Sequence, residues 1–128
     1  MENRNVFQTP EDIAQYYMET CRHLEVEKVF LLCLDNQLRL LKECVLSTGT
    51  INASLISPRE VYIQALEAKA VHILLVHNHP SGDPTPSRQD IEIRKKVMEA
   101  GKMMDIPLLD HIIIGDHSYV SLKAQKII

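Results

Sequence analysis

The run "VHILLVH" (71–77) is apolar on both of its alternating faces, and this constrains the fold more than any other stretch. A strand of that kind belongs inside a sheet that is covered on both sides. "KVFLLCL" (28–34) has the same character; it is closed by "DNQ" and leads into "LRLLKECVL" (38–46), which predicts an antiparallel hairpin. The covering layers must come from helices, and three segments qualify. Thr9 as N-cap, Pro10 in the first turn and Asp12 near the positive helix end predict a helix over 10–23, with Ile13, Tyr17 and Leu24 on one face. "SPREVYIQALEAKA" opens with a capping box, Ser57 to Glu60, and carries Pro58 in its first turn. Residues 87–102 have helical periodicity, with Ile93, Val97, Ala100 and Met104 four, three and four apart. "IPLLDHIIIG" (106–115) and "SYVSL" (118–122) read as two closing strands around the turn "GDH". The order helix, two strands, helix, strand, helix, two strands predicts a three-layer α/β/α arrangement, a mixed sheet flanked by helices.

A length of 128 residues suits a single domain over 1–128 with its own core. There is no internal repeat, linker or low-complexity tract. No run approaches bilayer length, and the polar start "MENRNVFQTPED" does not read as a signal peptide. Cys21, Cys33 and Cys44 are odd in number and widely spaced, the pattern of reduced thiols in a cytoplasmic protein. A net charge of -3 does not support nonspecific nucleic-acid binding.

The chemistry is concentrated in "HNHPSGDPTPSRQD" (77–90). Strand alternation lets His77 and His79 share a side while Asn78 points away. Two imidazoles so placed are natural ligands for one divalent ion. Gly82 with Pro80, Pro84 and Pro86 stiffens the return path toward the pair. Ser87 and Asp90 fit a helix N-terminus, which accounts for both without any metal. Yet Asp90 lies three residues before Ile93 and seven before Val97, on the stripe assigned to the core. An inward carboxylate requires a cation or several donors. Two histidines and a carboxylate leave an open position on zinc, the catalytic pattern, where a water has its pKa lowered to about 7. Such a site also needs a carboxylate to move the proton and a donor for the oxyanion, a role open to Ser87.

His77-x-His79, seven residues, Ser87, two residues, Asp90 matches the JAMM motif of the JAB/MPN metalloprotease superfamily. "VHNHPSGDPTPSRQDI" and "LLDHIIIGDHSYVSL" closely resemble its bacterial RadC-like branch, over nearly the whole chain from about Glu25. The resemblance implies a JAB/MPN-like fold, with layering like that of cytidine deaminases, and Zn2+ held by His77, His79 and Asp90. It further implies Ser87 beside the water or oxyanion and Glu27, just before "KVFLLCLD", as general base. The implied activity is metal-dependent cleavage of a peptide or isopeptide bond in a protein or peptide substrate, with no membrane role and a name linked to DNA repair. Longer RadC-like proteins carry an N-terminal helix-hairpin-helix region that these residues lack, which lowers the expectation of a DNA role. The alternatives are a non-enzymatic protein- or nucleic-acid-binding module and a metal-dependent nuclease.

The remaining polar residues have plainer readings. Glu43, the second candidate base, is expected to be exposed and paired with Arg39. Glu67, Glu92 and Glu99 fall on solvated helix faces, as do Arg88, Arg94, Lys95, Lys96 and Lys102. His23, His72 and His117 read as structural or surface histidines. Asp110 and His111 belong to the RadC-like pattern without a role of their own. The letters H-N-H are not the spaced triad of HNH nucleases, and the H-x-E and P-C-x-x-C of zinc deaminases are absent.

Overall fold

The computed structural model describes residues 9–49 and 56–126. In chain order the elements are α1 (Pro10–Cys21), β1 (Lys28–Leu34), β2 (Leu40–Thr48), α2 (Pro58–Glu67), β3 (His72–Asn78), α3 (Arg88–Met104), β4 (Leu108–Ile114) and β5 (Tyr119–Ser121). The predicted order holds throughout. The five strands form one sheet in the order β2-β1-β3-β4-β5. Only β3 and β4 are parallel, joined through α3; β1 runs antiparallel to both β2 and β3, and β5 to β4. A parallel pair needs such a crossover, and α3 supplies it.

The doubly apolar runs are covered on both sides, as their composition requires. Val29, Leu31 and Cys33 of β1 pack with Val61, Tyr62 and Ala65 of α2 and with Ile93 and Val97 of α3. The alternate residues Phe30, Leu32 and Leu34 pack against Ile13, Ala14, Tyr17 and Cys21 of α1. Three layers result, with α1 on one side of the sheet and α2 and α3 on the other. The buried cysteines Cys21 and Cys33 and the half-buried Cys44 are free thiols. Among the described residues no helix is long and apolar enough to cross a membrane.

Several local expectations are corrected. Strand β2 starts at Leu40 rather than residue 38, because Leu38 adopts a left-handed φ of 64° inside the turn. Asp35 organises that turn: its Oδ1 accepts the amides of Gln37 (2.8 Å) and Arg39 (2.9 Å). Its other oxygen takes the Arg39 Nε at 2.9 Å, so Arg39 is not the partner of Glu43. Glu43 accepts instead from the Tyr17 hydroxyl of α1. Ser57 caps α2 by accepting from the Arg59 amide, but Glu60 pairs with the Arg59 guanidinium at 3.1 Å and closes no capping box. On α3, Arg94 faces inward at 5% exposure and is not on the solvated side; Gly101 takes the buried position, while Met104 is exposed. Helix α1 ends at Cys21, before Leu24, which still packs against the α1 layer.

Candidate metal centre

The site forms where β3 ends, between the start of β1 and the first turn of α3. His77 lies opposite Val29 of β1 and Ile113 of β4, and with Ile73 and Leu75 it faces the α3 side of the sheet. His79 follows the strand but still bonds to β4, its amide donating to the Ile114 carbonyl at 2.9 Å. Asn78 points the other way, as alternation predicts, and does more than fill space. Its Oδ1 accepts the Lys28 amide at 2.8 Å and its Nδ2 donates to the Val26 carbonyl at 3.0 Å. These two bonds fix the chain on both sides of Glu27. No sequence signal marked that role.

The loop after His79 is held closed. The His79 carbonyl accepts the Gly82 amide (2.9 Å), and the Gly82 carbonyl accepts the Asp116 amide at 2.8 Å. Gly82 has φ +92°, a left-handed conformation that glycine adopts without strain. Gly115 allows the loop to sit directly on the β4–β5 turn, since a Cβ there would lie 2.4 Å from the Gly82 carbonyl oxygen. The loop then delivers Ser87 as the N-cap of α3. Ser87 Oγ accepts the Asp90 amide at 3.1 Å while the Ser87 amide donates to Asp90 Oδ2 at 2.7 Å, a complete capping box.

The capping reading of Asp90 therefore holds, and it does not exhaust the residue. Asp90 is 1% exposed, and its two oxygens meet both rings: Oδ1 lies 2.9 Å from His77 Nε2 and Oδ2 lies 3.1 Å from His79 Nε2. The two Nε2 atoms are 3.2 Å apart. Ligand atoms of Glu27, His77 and His79 also lie within 4.8 Å of one another. The structure thus brings together all four predicted acid and imidazole groups, with Ser87 beside them. Glu27, His79, Ser87 and Asp90 line an open cavity of about 680 Å³, along with Pro80, Ser81, Arg88 and Gln89. Glu43 lies outside this cluster.

The charges are unevenly balanced. Burial raises the Asp90 carboxyl, but hydrogen bonds from His77 and His79 and from the Ser87 amide outweigh it and hold it well below the carboxylate range. The bond to Asp90 is the main cause raising His79 above its ordinary value. His79 Nδ1 sits 2.8 Å from the Asp83 carbonyl, which can only accept, so that nitrogen carries a hydrogen. A neutral His79 then turns a lone pair toward a carboxylate oxygen. Only a proton or a cation between them makes that arrangement favourable. The donor set accordingly fits a divalent metal.

His111 of β4 was missed as part of the site. It is fully buried, and its Nε2 lies 2.9 Å from His77 Nδ1. Burial foremost, then its neighbour His77, pushes His111 well below its ordinary pKa of 6.5. The metal-free protein should therefore be most stable near neutrality. Below 6.5 the unfolded chain protonates His111 and the fold does not, so stability falls as the pH drops. Above 6.5 the fold retains a proton on His79, and that contribution disappears as the pH rises through the raised value. Asp90 adds a further loss below its ordinary 3.8. Chemical denaturation of chelator-treated protein should show a maximum between about pH 6 and 7; stability that climbs steadily through pH 8 contradicts this balance.

The family model for the RadC-like JAB domain matches residues 7–127. The chain belongs to the RadC-like JAB family. Its curated relatives include a UPF0758 protein of Bacillus cereus strain G9842, 47% identical over 124 residues, which cover 97% of this chain and 55% of the relative. A UPF0758 protein of Halalkalibacterium halodurans is 46% identical over 123 residues, covering 96% of this chain and 53% of the relative. One from Bacillus pumilus is 45% identical over 124 residues, with coverage of 97% and 55%. The chain spans about half the length of the curated relatives it matches. The mixed five-stranded sheet with helices on both sides agrees with a JAB/MPN-like fold.

Proposed function

We propose that this RadC-like JAB domain is a zinc-dependent hydrolase that cleaves a peptide or isopeptide bond in a protein or peptide substrate. The observation that carries the reading is the convergence of the Asp90 carboxylate on two imidazole nitrogens 3.2 Å apart, at the edge of an open cavity. His77, His79 and Asp90 would hold the ion, three protein ligands being the catalytic rather than the structural complement. Zinc, when bound, supplies Lewis acidity that polarises a carbonyl and makes water acidic near neutral pH.

The residues of the chain divide the remaining work. The Glu27 carboxylate, held close to both rings, takes the proton of the attacking water and returns it to the leaving nitrogen. Ser87 Oγ already accepts the Asp90 amide, so its hydroxyl hydrogen is available to the oxygen that gains charge on the substrate. The Asp83 carbonyl holds the His79 ring in the orientation that keeps Nε2 toward Asp90. Arg88 and Gln89, both exposed at the rim, are placed to contact the substrate chain. The free cysteines fit a cytoplasmic location, and the DNA-repair association implied by the RadC name belongs to the same reading.

A substrate screen with and without chelator tests the proposal. Isopeptide-linked and peptide substrates should be hydrolysed by the zinc-loaded protein and spared after chelation. Chelator-sensitive DNA cleavage with no amide hydrolysis replaces the peptidase with a phosphoesterase. Zinc binding without hydrolysis of any of these substrates favours a binding module.

A further inference from the structure

His111 sits in the sheet behind the cluster, and its surroundings explain why an aspartate precedes it. Asp110 points to the opposite side of β4 and fixes the main chain there. Its Oδ1 accepts the His111 amide (2.7 Å) and the Lys123 amide (3.0 Å), and its Oδ2 accepts the Ser121 hydroxyl at 2.5 Å. The His111 carbonyl accepts the Leu122 amide at 3.0 Å. These bonds anchor the backbone behind the ring, which is 0% exposed and whose hydrogen-bond partner is His77. Its second nitrogen, Nδ1, is buried without a partner.

One hydrogen lies between His77 Nδ1 and His111 Nε2, and its position decides what His77 can bind. If His111 carries it, His77 bears its own hydrogen on Nε2 and donates to Asp90 at 2.9 Å. That state suits a metal-free site and cannot ligate. If a neutral His77 carries it on Nδ1, Nε2 is a bare lone pair directed at Asp90 and His79. A carbonyl in the place of His111, like the Asp83 carbonyl behind His79, would accept only. An imidazole can donate or accept, so it keeps His77 paired in both states.

We propose that His111 is the positioning residue for His77: it accepts the Nδ1 hydrogen of that ring and thereby holds Nε2 bare for a divalent cation. The inference rests on the metal reading above and assigns a function to a residue outside the ligand set.

Zinc titration against a chromophoric competitor, using wild type, His111→Leu and His111→Gln, is the test. Leucine fills the volume and offers no acceptor; glutamine places an amide oxygen near the former Nε2. We expect His111→Leu to weaken zinc binding roughly 10- to 100-fold and His111→Gln to restore most of it. Melting of the metal-free variants reports whether each is folded. Long-range proton–nitrogen spectra of zinc-loaded wild type should place a hydrogen on His77 Nδ1 and none on His111 Nε2. A folded His111→Leu protein with wild-type affinity overturns the proposal, as does a protonated His111 Nε2 in the loaded state. If His111→Leu does not fold, the glutamine variant and the spectra decide: an affinity loss of leucine-like size in His111→Gln overturns it. Wild type that binds no zinc refutes the metal reading itself, a separate result from a silent His111.

Discussion

Asp90→Ala is expected to purify without the stoichiometric zinc that the wild-type protein should hold. The carboxylate touches both Nε2 atoms, at 2.9 and 3.1 Å, so its loss leaves two imidazoles and an open cavity where three proposed ligands converged. Removing a partner that merely orients a ligand weakens metal binding by about 10- to 100-fold, and removing a ligand should exceed the upper end of that range. Asp90 Oδ2, the oxygen beside His79, also accepts the Ser87 amide in the α3 capping box, so some destabilisation accompanies the loss. A lost N-cap interaction typically costs about 1 kcal/mol. Ser87→Ala separates the two effects, since it breaks the cap through Oγ and leaves the carboxylate in place. Metal analysis should find zinc in Ser87→Ala and little in Asp90→Ala. Equal, stoichiometric zinc in Asp90→Ala and wild type would remove Asp90 from the ligand set.

Glu27→Gln should keep zinc and lose turnover. A positioned general base commonly contributes about 10²- to 10⁴-fold, and a glutamine cannot take the proton. The variant should fold normally, because the segment is fixed through the Val26 carbonyl and the Lys28 amide rather than through the Glu27 side chain. Metal content and turnover must be measured together. Glu27, His77 and His79 have ligand atoms within 4.8 Å of one another, so zinc lost along with activity would make Glu27 a ligand. Glu43→Gln is the control: that carboxylate bonds to Tyr17 of α1, and turnover should survive its replacement.

The layering was legible because "KVFLLCL" and "VHILLVH" offer no polar face, and only a sheet covered on both sides buries such runs. The convergence of His77, His79 and Asp90 was legible for a related reason. Two-residue alternation on β3 and the core stripe of α3 are both local periodicities, and each can be read without knowing the tertiary fold. What was not legible depends on partners distant in the chain. His111 meets His77 across 34 residues, through a parallel β3–β4 ladder with an irregularity between Ile73 and Leu74. No local pattern sets that register. Glu43 shares a strand face with Arg39, which suggests a pair, but the Asp35 turn engages the arginine and Tyr17 of α1 meets the glutamate. Arg94 looked solvated among lysines; it lies four residues beyond Asp90, on the inward side of α3, with Nη1 3.4 Å from Met98 Sδ.

The Asn78 amide has a consequence for how such a protein can lose its activity. Glu27, just before β1, keeps its distance from the rings at the end of β3 because the Asn78 side chain adds two bonds to main-chain atoms on either side of it, beyond the β1–β3 ladder itself. A change that lets β1 slide past β3 by one position would turn every inward side chain outward and carry Glu27 away from the histidines. All the reactive groups would still be present in the chain, yet their alignment would be gone.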